Sequence, residues 1–129
     1  MQSESVRKTI LVLDDIADYL QALARTLSSE WNVLCANSAH EARAVVERQR
    51  PDVALIDVRL SESDPDNREG LEILAWLRQR DASIPVVVMS AYQDSDATEE
   101  AMRLGARAFV KKPLDLRSLK ALVAGLCES

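Results

Sequence analysis

Five short apolar runs recur along this chain, at residues 9–13 (TILVL), 33–36 (VLCA), 53–57 (VALID), 85–90 (PVVVMS) and 107–110 (RAFV). Such runs are too short to span a membrane or serve as a signal-peptide core, but they have the length of strands buried on both faces. An amphipathic stretch long enough for a helix follows each one. This alternation constrains the fold more than any single residue does, because parallel strands need crossover helices and near-continuous apolar strands need cover on both faces. The expected architecture is an α/β three-layer sandwich, a five-stranded parallel sheet with helices on both faces. Right-handed crossovers and short loops favour a doubly wound sheet in the order 2-1-3-4-5, whose ligand crevice opens where strands 1 and 3 diverge.

The helices carry their own signals. Ile16, Leu20, Leu23 and Leu27 are spaced four, three and four apart and share one helical face. Ser38 and Glu41 form a capping box that starts a second helix, with Ala42, Val45 and Val46 inward and Pro51 closing it. A third helix is expected over about 70–80, on Leu71, Leu74 and Leu77 with Ile73 and Trp76 widening the stripe. A fourth begins near Ser95 or Asp96 and stops at Gly105, and the last follows Asp115 and uses Leu116, Leu119, Leu122, Val123 and Leu126. Residues 58–69, containing SESDPDNRE, make an unusually long acidic connection, read as a lid or a plain solvated insertion. Asp64, Asp66, Asn67 and Gly70 invite a calcium-loop reading, but Arg68 and Glu69 stand where such a loop needs other residues.

The 129 residues suit one domain, and no linker, repeat or low-complexity tract divides them. With a net charge of -5, the chain lacks the clustered basic surface that nucleic-acid phosphates require. A cytoplasmic location is expected, with Cys35 and Cys127 reduced.

Chemically capable residues gather at the carboxyl ends of the strands: Asp14 and Asp15 after the first, Asp57 at the third, Ser90 at the fourth, Lys112 after the fifth. With strands 1 and 3 adjacent, three carboxylates would lie several ångströms apart, and like charges that close need a counter-charge. A divalent cation meets that need, and Mg²⁺ suits carboxylates, a carbonyl, waters and an incoming phosphate oxygen. Lys112 could hold a phosphoryl oxygen and Ser90 offers a hydroxyl opposite it. No base stands beside a Ser or Cys, so the nucleophile must be a carboxylate, and Asp57 is the central one at a strand end.

The segments LVLDD, ALIDV, VVVMSA and GARAFVKKP stand in the order and approximate spacing of response-regulator receiver domains, and the resemblance covers nearly the whole chain. It implies a flavodoxin-like fold and a two-component phosphorelay in which Asp57 takes a phosphoryl group from a sensor histidine kinase or a histidine phosphotransfer protein. It further implies Asp15 as the main magnesium ligand, Asp14 assisting, and the Arg59 carbonyl as a third. Such a domain catalyses its own phosphorylation and dephosphorylation without being a conventional enzyme. Ser90 and Phe109 match the family's switch pair, read out on the face of the fourth helix, fifth strand and fifth helix by an unidentified downstream effector, with dimerisation on phosphorylation as an option. Lys112-Pro113 matches a peptide bond that is typically cis, and Arg59 and Tyr92 match variable positions that tune dephosphorylation.

Gly70 lies thirteen residues after Asp57, several more than is usual in that family; Ser61 stands where proline is common, and Leu114 replaces a frequent Phe. His40 is the sole histidine, which argues against a phosphohistidine relay inside the chain. The competing reading is a pseudo-receiver, a protein-interaction module that keeps the fold without phosphorylation. An aspartate-nucleophile phosphatase would need a second acid two residues after Asp57, where Arg59 stands. A flavin cofactor would meet repulsion from Asp14 and Asp15.

Overall fold

The structure is a computed structural model that describes residues 7–61, 63–91 and 95–128. Five strands alternate with five helices: β1 (Thr9–Leu13), α1 (Ala17–Leu27), β2 (Asn32–Ala36), α2 (Ala39–Arg48), β3 (Val53–Asp57), α3 (Glu69–Arg80), β4 (Val86–Ser90), α4 (Ser95–Arg103), β5 (Ala108–Lys111) and α5 (Leu116–Cys127). All neighbouring strands pair in parallel, in the expected order β2-β1-β3-β4-β5.

Strand alternation divides the core in two. Ile10, Val12, Val53, Leu55, Val87 and Met89 point to one face, where Leu23 and Leu27 of α1 and Leu119 and Val123 of α5 cover them. Leu11, Leu13, Ala54, Ile56, Val86 and Val88 point to the other, under α2, α3 and α4. Every residue of β1, β3 and β4 is buried, which is why these segments read as continuous apolar runs. Burying each large strand side chain contributes about 1.5–3 kcal/mol, so both faces are needed to offset the chain entropy lost.

Helix ends follow the residues that favour them. The Ser38 hydroxyl accepts from Glu41 N at 3.1 Å, while the Glu41 carboxylate reaches back to Asn37 N at 2.7 Å, one residue earlier than the usual reciprocal partner. Asp115 caps α5 by accepting from the backbone N–H groups of Arg117 and Ser118. After α4, Gly105 takes φ of +101°, a conformation costly for any residue with a Cβ.

Several expected boundaries shift. β2 starts at Asn32 rather than Val33, and β5 runs Ala108–Lys111 rather than 107–110. Pro85 lies just outside β4, although its carbonyl accepts from Ala54 N at 3.0 Å. Ile16 is the N-cap of α1 rather than part of its inner face, and Leu116 is exposed at the start of α5. A helix's first residues extend past the sheet edge, so apolar spacing overcounts them as core.

The 58–69 connection is anchored rather than loosely solvated. Val58 and Leu60 are buried, and Asn67 Oδ1 accepts from both Leu60 N at 2.9 Å and Glu69 N at 3.0 Å, closing the loop upon itself. Among the described residues its exposed positions are the tip, 63–66, and Arg68.

At the opposite end of the sheet Arg50 ties the α2–β3 connection to the α3–β4 connection. Its guanidinium donates to Asp81 Oδ2 at 2.6 Å, to Ser83 Oγ at 2.8 Å and to the Pro51 carbonyl at 3.3 Å, and lies 3.5 Å from Asp52, whose other oxygen accepts from Thr9 N. These bonds hold Asp81 at about 2, chiefly through the Ser83 hydroxyl and then Arg50.

Candidate functional site

Parity and register assemble the site. Asp57 follows Val53 and Leu55 on the α1/α5 face, and continuing the alternation past the ends of β1 and β5 places Asp14 and Lys112 on that same face. Leu13 pairs with Ile56, so Asp14 stands level with Asp57. Ser90 and Phe109 have the opposite parity, following Val86 and Val88 and packing with the α2/α3/α4 cluster respectively. The sheet therefore sends the three charged groups to one side of its carboxyl edge and the Ser–aromatic pair to the other.

Ligand atoms from Asp14, Asp15 and Asp57 all lie within 4.8 Å of one another. Asp14 and Asp57 are buried, and Asp15 is half-buried. Asp14 is held on both sides: Oδ1 accepts from Ile16 N at 2.9 Å and Oδ2 from Lys112 Nζ at 2.7 Å. The same ammonium lies 3.4 Å from Asp57 Oδ2, and its side chain is 2% exposed. Lys112 thus reaches from beyond β5 to the end of β1, and its backbone N donates to the Ser90 carbonyl at 2.8 Å, which fixes where the stem starts.

These contacts set the ionisation of the site. Burial pushes the Asp57 carboxyl up to about 7, with Asp14 and Asp15 adding to the rise and Lys112 only partly opposing it. Burial works against the charge on Lys112 as well, but the hydrogen bond to Asp14 and the charge of Asp57 outweigh it and raise that pKa. Lys112 offsets the two neighbouring acids, so what keeps the nucleophile candidate high is chiefly the cost of burying its charge.

Gly70 brings α3 against the nucleophile candidate. Its N–H donates to the Val58 carbonyl at 2.9 Å, and a Cβ there would sit 1.9 Å from the Asp57 carbonyl oxygen. The long connection therefore closes onto the same backbone that presents Asp57.

Among the other predicted residues, Arg59 is half-buried two residues after β3, and Phe109 is half-buried on β5 opposite Val88. The Lys112-Pro113 bond is cis, as the resemblance implies. Tyr92 lies outside the described residues. His40 and Lys111 are exposed, and both Cys35 and Cys127 are free thiols.

One residue beside the site escaped sequence reasoning. Tyr19 of α1 lies with its ring centroid 4.2 Å from Lys112 Nζ, covering the ammonium. Its position four residues after Asp15, about one helical turn on, is the signal that could have found it.

The profile of the response regulator receiver domain matches residues 10–124. The response regulator protein PilR of Pseudomonas aeruginosa is 34% identical over 119 residues, covering 92% of this chain and 26% of that protein. The transcriptional regulatory protein ZraR of Escherichia coli is 37% identical over 115 residues, covering 87% of this chain and 24% of its own length. The chain thus spans about a quarter of the length of these curated relatives. Among solved structures, the receiver domain of NtrX from Brucella abortus superimposes with a TM-score of 0.82 at 26% identity, over 93% of this chain and 98% of that one. A CheY-like receiver domain from Methanospirillum hungatei shares the fold at a TM-score of 0.86 and 24% identity, over 95% of each chain. By profile, by sequence and by fold, this chain belongs to the response regulator receiver domain family.

Proposed function

We propose that this domain is a Mg²⁺-dependent phosphoacceptor that takes a phosphoryl group onto Asp57 from a phosphohistidine on a sensor histidine kinase or histidine phosphotransfer protein. The observation that carries the reading is the three-carboxylate cluster, with ligand atoms within 4.8 Å, crossed by the buried ammonium of Lys112. Hard oxygen donors packed this closely fit a divalent cation, and the raised Asp57 pKa is the electrostatic cost such an ion would relieve. Asp15 and Asp57 would be the main carboxylate ligands, with the Arg59 carbonyl. Asp14, whose two oxygens already serve Ile16 and Lys112, would assist. Bound there, Mg²⁺ would offset the charge that builds on the transferring group.

The chain's own residues then have distinct tasks. An Asp57 carboxylate oxygen attacks phosphorus, the bond from phosphorus to the donor nitrogen breaks, and the imidazole leaves with the electron pair. Lys112 pairs with the phosphoryl oxygens, and the Ser90 hydroxyl donates to one from the opposite side of the sheet edge. Phe109 follows Ser90 inward, so that the face formed by α4, β5 and α5 changes shape for a downstream effector. Hydrolysis of the acyl phosphate by water resets the domain, at a rate tuned by Arg59 and Tyr92. This work is cytoplasmic, and among the described residues no helix is long and apolar enough to cross a membrane. The domain needs no nucleic-acid contact of its own, and phosphorylation can favour a dimer through the same face.

The test is direct. Incubation with Mg²⁺ and a small acyl phosphate should add one phosphoryl group by intact mass, and Asp57→Ala should abolish the adduct. No adduct on the unmodified chain, together with no Mg²⁺ binding, would replace this reading with that of a pseudo-receiver.

A further inference from the structure

We propose that Tyr19 is a positioning residue for Lys112, its ring face holding the ammonium in the place from which it serves the phosphoryl group; this rests on the phosphoacceptor reading of Asp57. The geometry accounts for the whole ammonium. An Nζ has three N–H donors. Asp14 Oδ2 takes one at 2.7 Å, Asp57 Oδ2 lies at 3.4 Å, and the third side of the charge meets the Tyr19 ring, with its centroid at 4.2 Å. No further solvent contact is needed, consistent with a side chain only 2% exposed.

The ring matters because the two carboxylates compete unequally. Asp14 holds Nζ closer than Asp57 does, yet the phosphoryl group arrives on Asp57. A lysine held only by Asp14 would have to break its shorter, charge-assisted bond to serve the incoming oxygens. The aromatic face offers a third attraction without a formal charge and without a hydrogen-bond geometry of its own, so the ammonium can pivot between acids while staying desolvated. An aliphatic side chain of similar bulk would fill the space but leave the charge unsupported on that side. A second carboxylate there would raise Asp57 further.

Tyr19 is on α1, on the face of the sheet that also carries Asp14, Asp57 and Lys112, whereas Ser90 and Phe109 lie on the other. Its effect should therefore fall on the chemical step and not on the Ser90–Phe109 pair.

The experiment compares Tyr19→Phe with Tyr19→Leu in the full chain, both checked for folding by circular dichroism. Phe keeps the ring and Leu removes it. At saturating acyl phosphate with Mg²⁺, the maximal rate of adduct formation should stay within about twofold in the Phe variant and fall about three- to thirty-fold in the Leu variant, the range a cation–π contact spans. The Lys112 Cε protons, followed by NMR in the unphosphorylated protein, should be shifted upfield by the ring in wild type and Phe and return to ordinary values in Leu. A Leu variant at the wild-type rate, or a Phe variant as slow as Leu, overturns the positioning role. An unshifted Lys112 in wild type overturns the contact itself. Failure of wild type to form any adduct while the ring shift is present would instead sink the phosphoacceptor reading, and with it the catalytic consequence, leaving the contact standing.

Discussion

Replacing Asp57 with Asn should make the Mg²⁺-free protein more stable, because the native fold keeps an ionised carboxylate where it is poorly tolerated. Burial, with Asp14 and Asp15 behind it, moves the Asp57 carboxyl from 3.8 to about 7. Between those values the folded chain still holds a proton that the unfolded chain has released, so stability falls as pH rises through that window. At about 1.4 kcal/mol per tenfold, the loss reaches about 4 kcal/mol above pH 7 and about 2 kcal/mol near pH 5. Asn keeps the shape and removes the ionisation. Urea unfolding followed by the fluorescence of Trp31 and Trp76 in the presence of a chelator should therefore show Asp57→Asn with a midpoint higher by about 2 M near pH 8, and a smaller gain near pH 5. Saturating Mg²⁺ should restore wild type by about 3 kcal/mol at a hundred times its dissociation constant, and should do much less for the variant. A variant no more stable than wild type near pH 8, or a gain independent of pH, would refute the claim that burying the Asp57 carboxylate destabilises the Mg²⁺-free fold.

Two further substitutions probe how the Asp57 backbone is held. Gly70→Ala places a Cβ against the Asp57 carbonyl oxygen, a backbone atom that cannot yield as a flexible side chain would, and should cost about 3 kcal/mol or more in urea unfolding while weakening Mg²⁺ binding. Asn67→Ala removes the acceptor shared by Leu60 N and Glu69 N and should cost about 1–2 kcal/mol, with faster amide exchange confined to the 58–69 connection. Global exchange protection lost in parallel would mean that this connection is not a local unit.

The core was legible because it is periodic. Apolar runs of strand length, separated by helical stripes, leave few ways to bury both faces of a parallel sheet, and the observed order is the expected one. The site was legible for the same reason, since strand ends in such a sheet converge on one edge. What escaped were contacts between positions that no local pattern links. Arg50 and Asp81 lie thirty-one residues apart and meet only because two loops share the lower edge of the sheet. The clasp made by Asn67 is invisible in a run of acids and serines, because a polar loop reads as solvated whether or not one amide closes it. Tyr19 looked like one more helical residue, and only the turn from Asp15 and the reach of Lys112 across the sheet bring it to the ammonium.

The same physics that makes the site costly suits it to a switch. With all three carboxylates ionised, one ammonium leaves a formal charge of about minus two at the sheet edge; on the proposed reading a divalent cation would balance it and an arriving phosphoryl group, itself carrying about two negative charges, would unbalance it again. A pocket that was neutral and well satisfied without its ion would gain little from binding it and would have no electrostatic reason to rearrange when Asp57 was modified. Here the rigid strands fix the acids, so the charge cannot be relieved by moving them apart. Relief has to come from the groups around them: Lys112, on a long flexible stem with partners at 2.7 and 3.4 Å, and the Ser90 hydroxyl at the end of β4. On the proposed reading, modification of Asp57 is felt first by these two side chains, and the opposite parity of Ser90 and Phe109 is what carries a charge change on the α1/α5 face of the sheet to the α4 face.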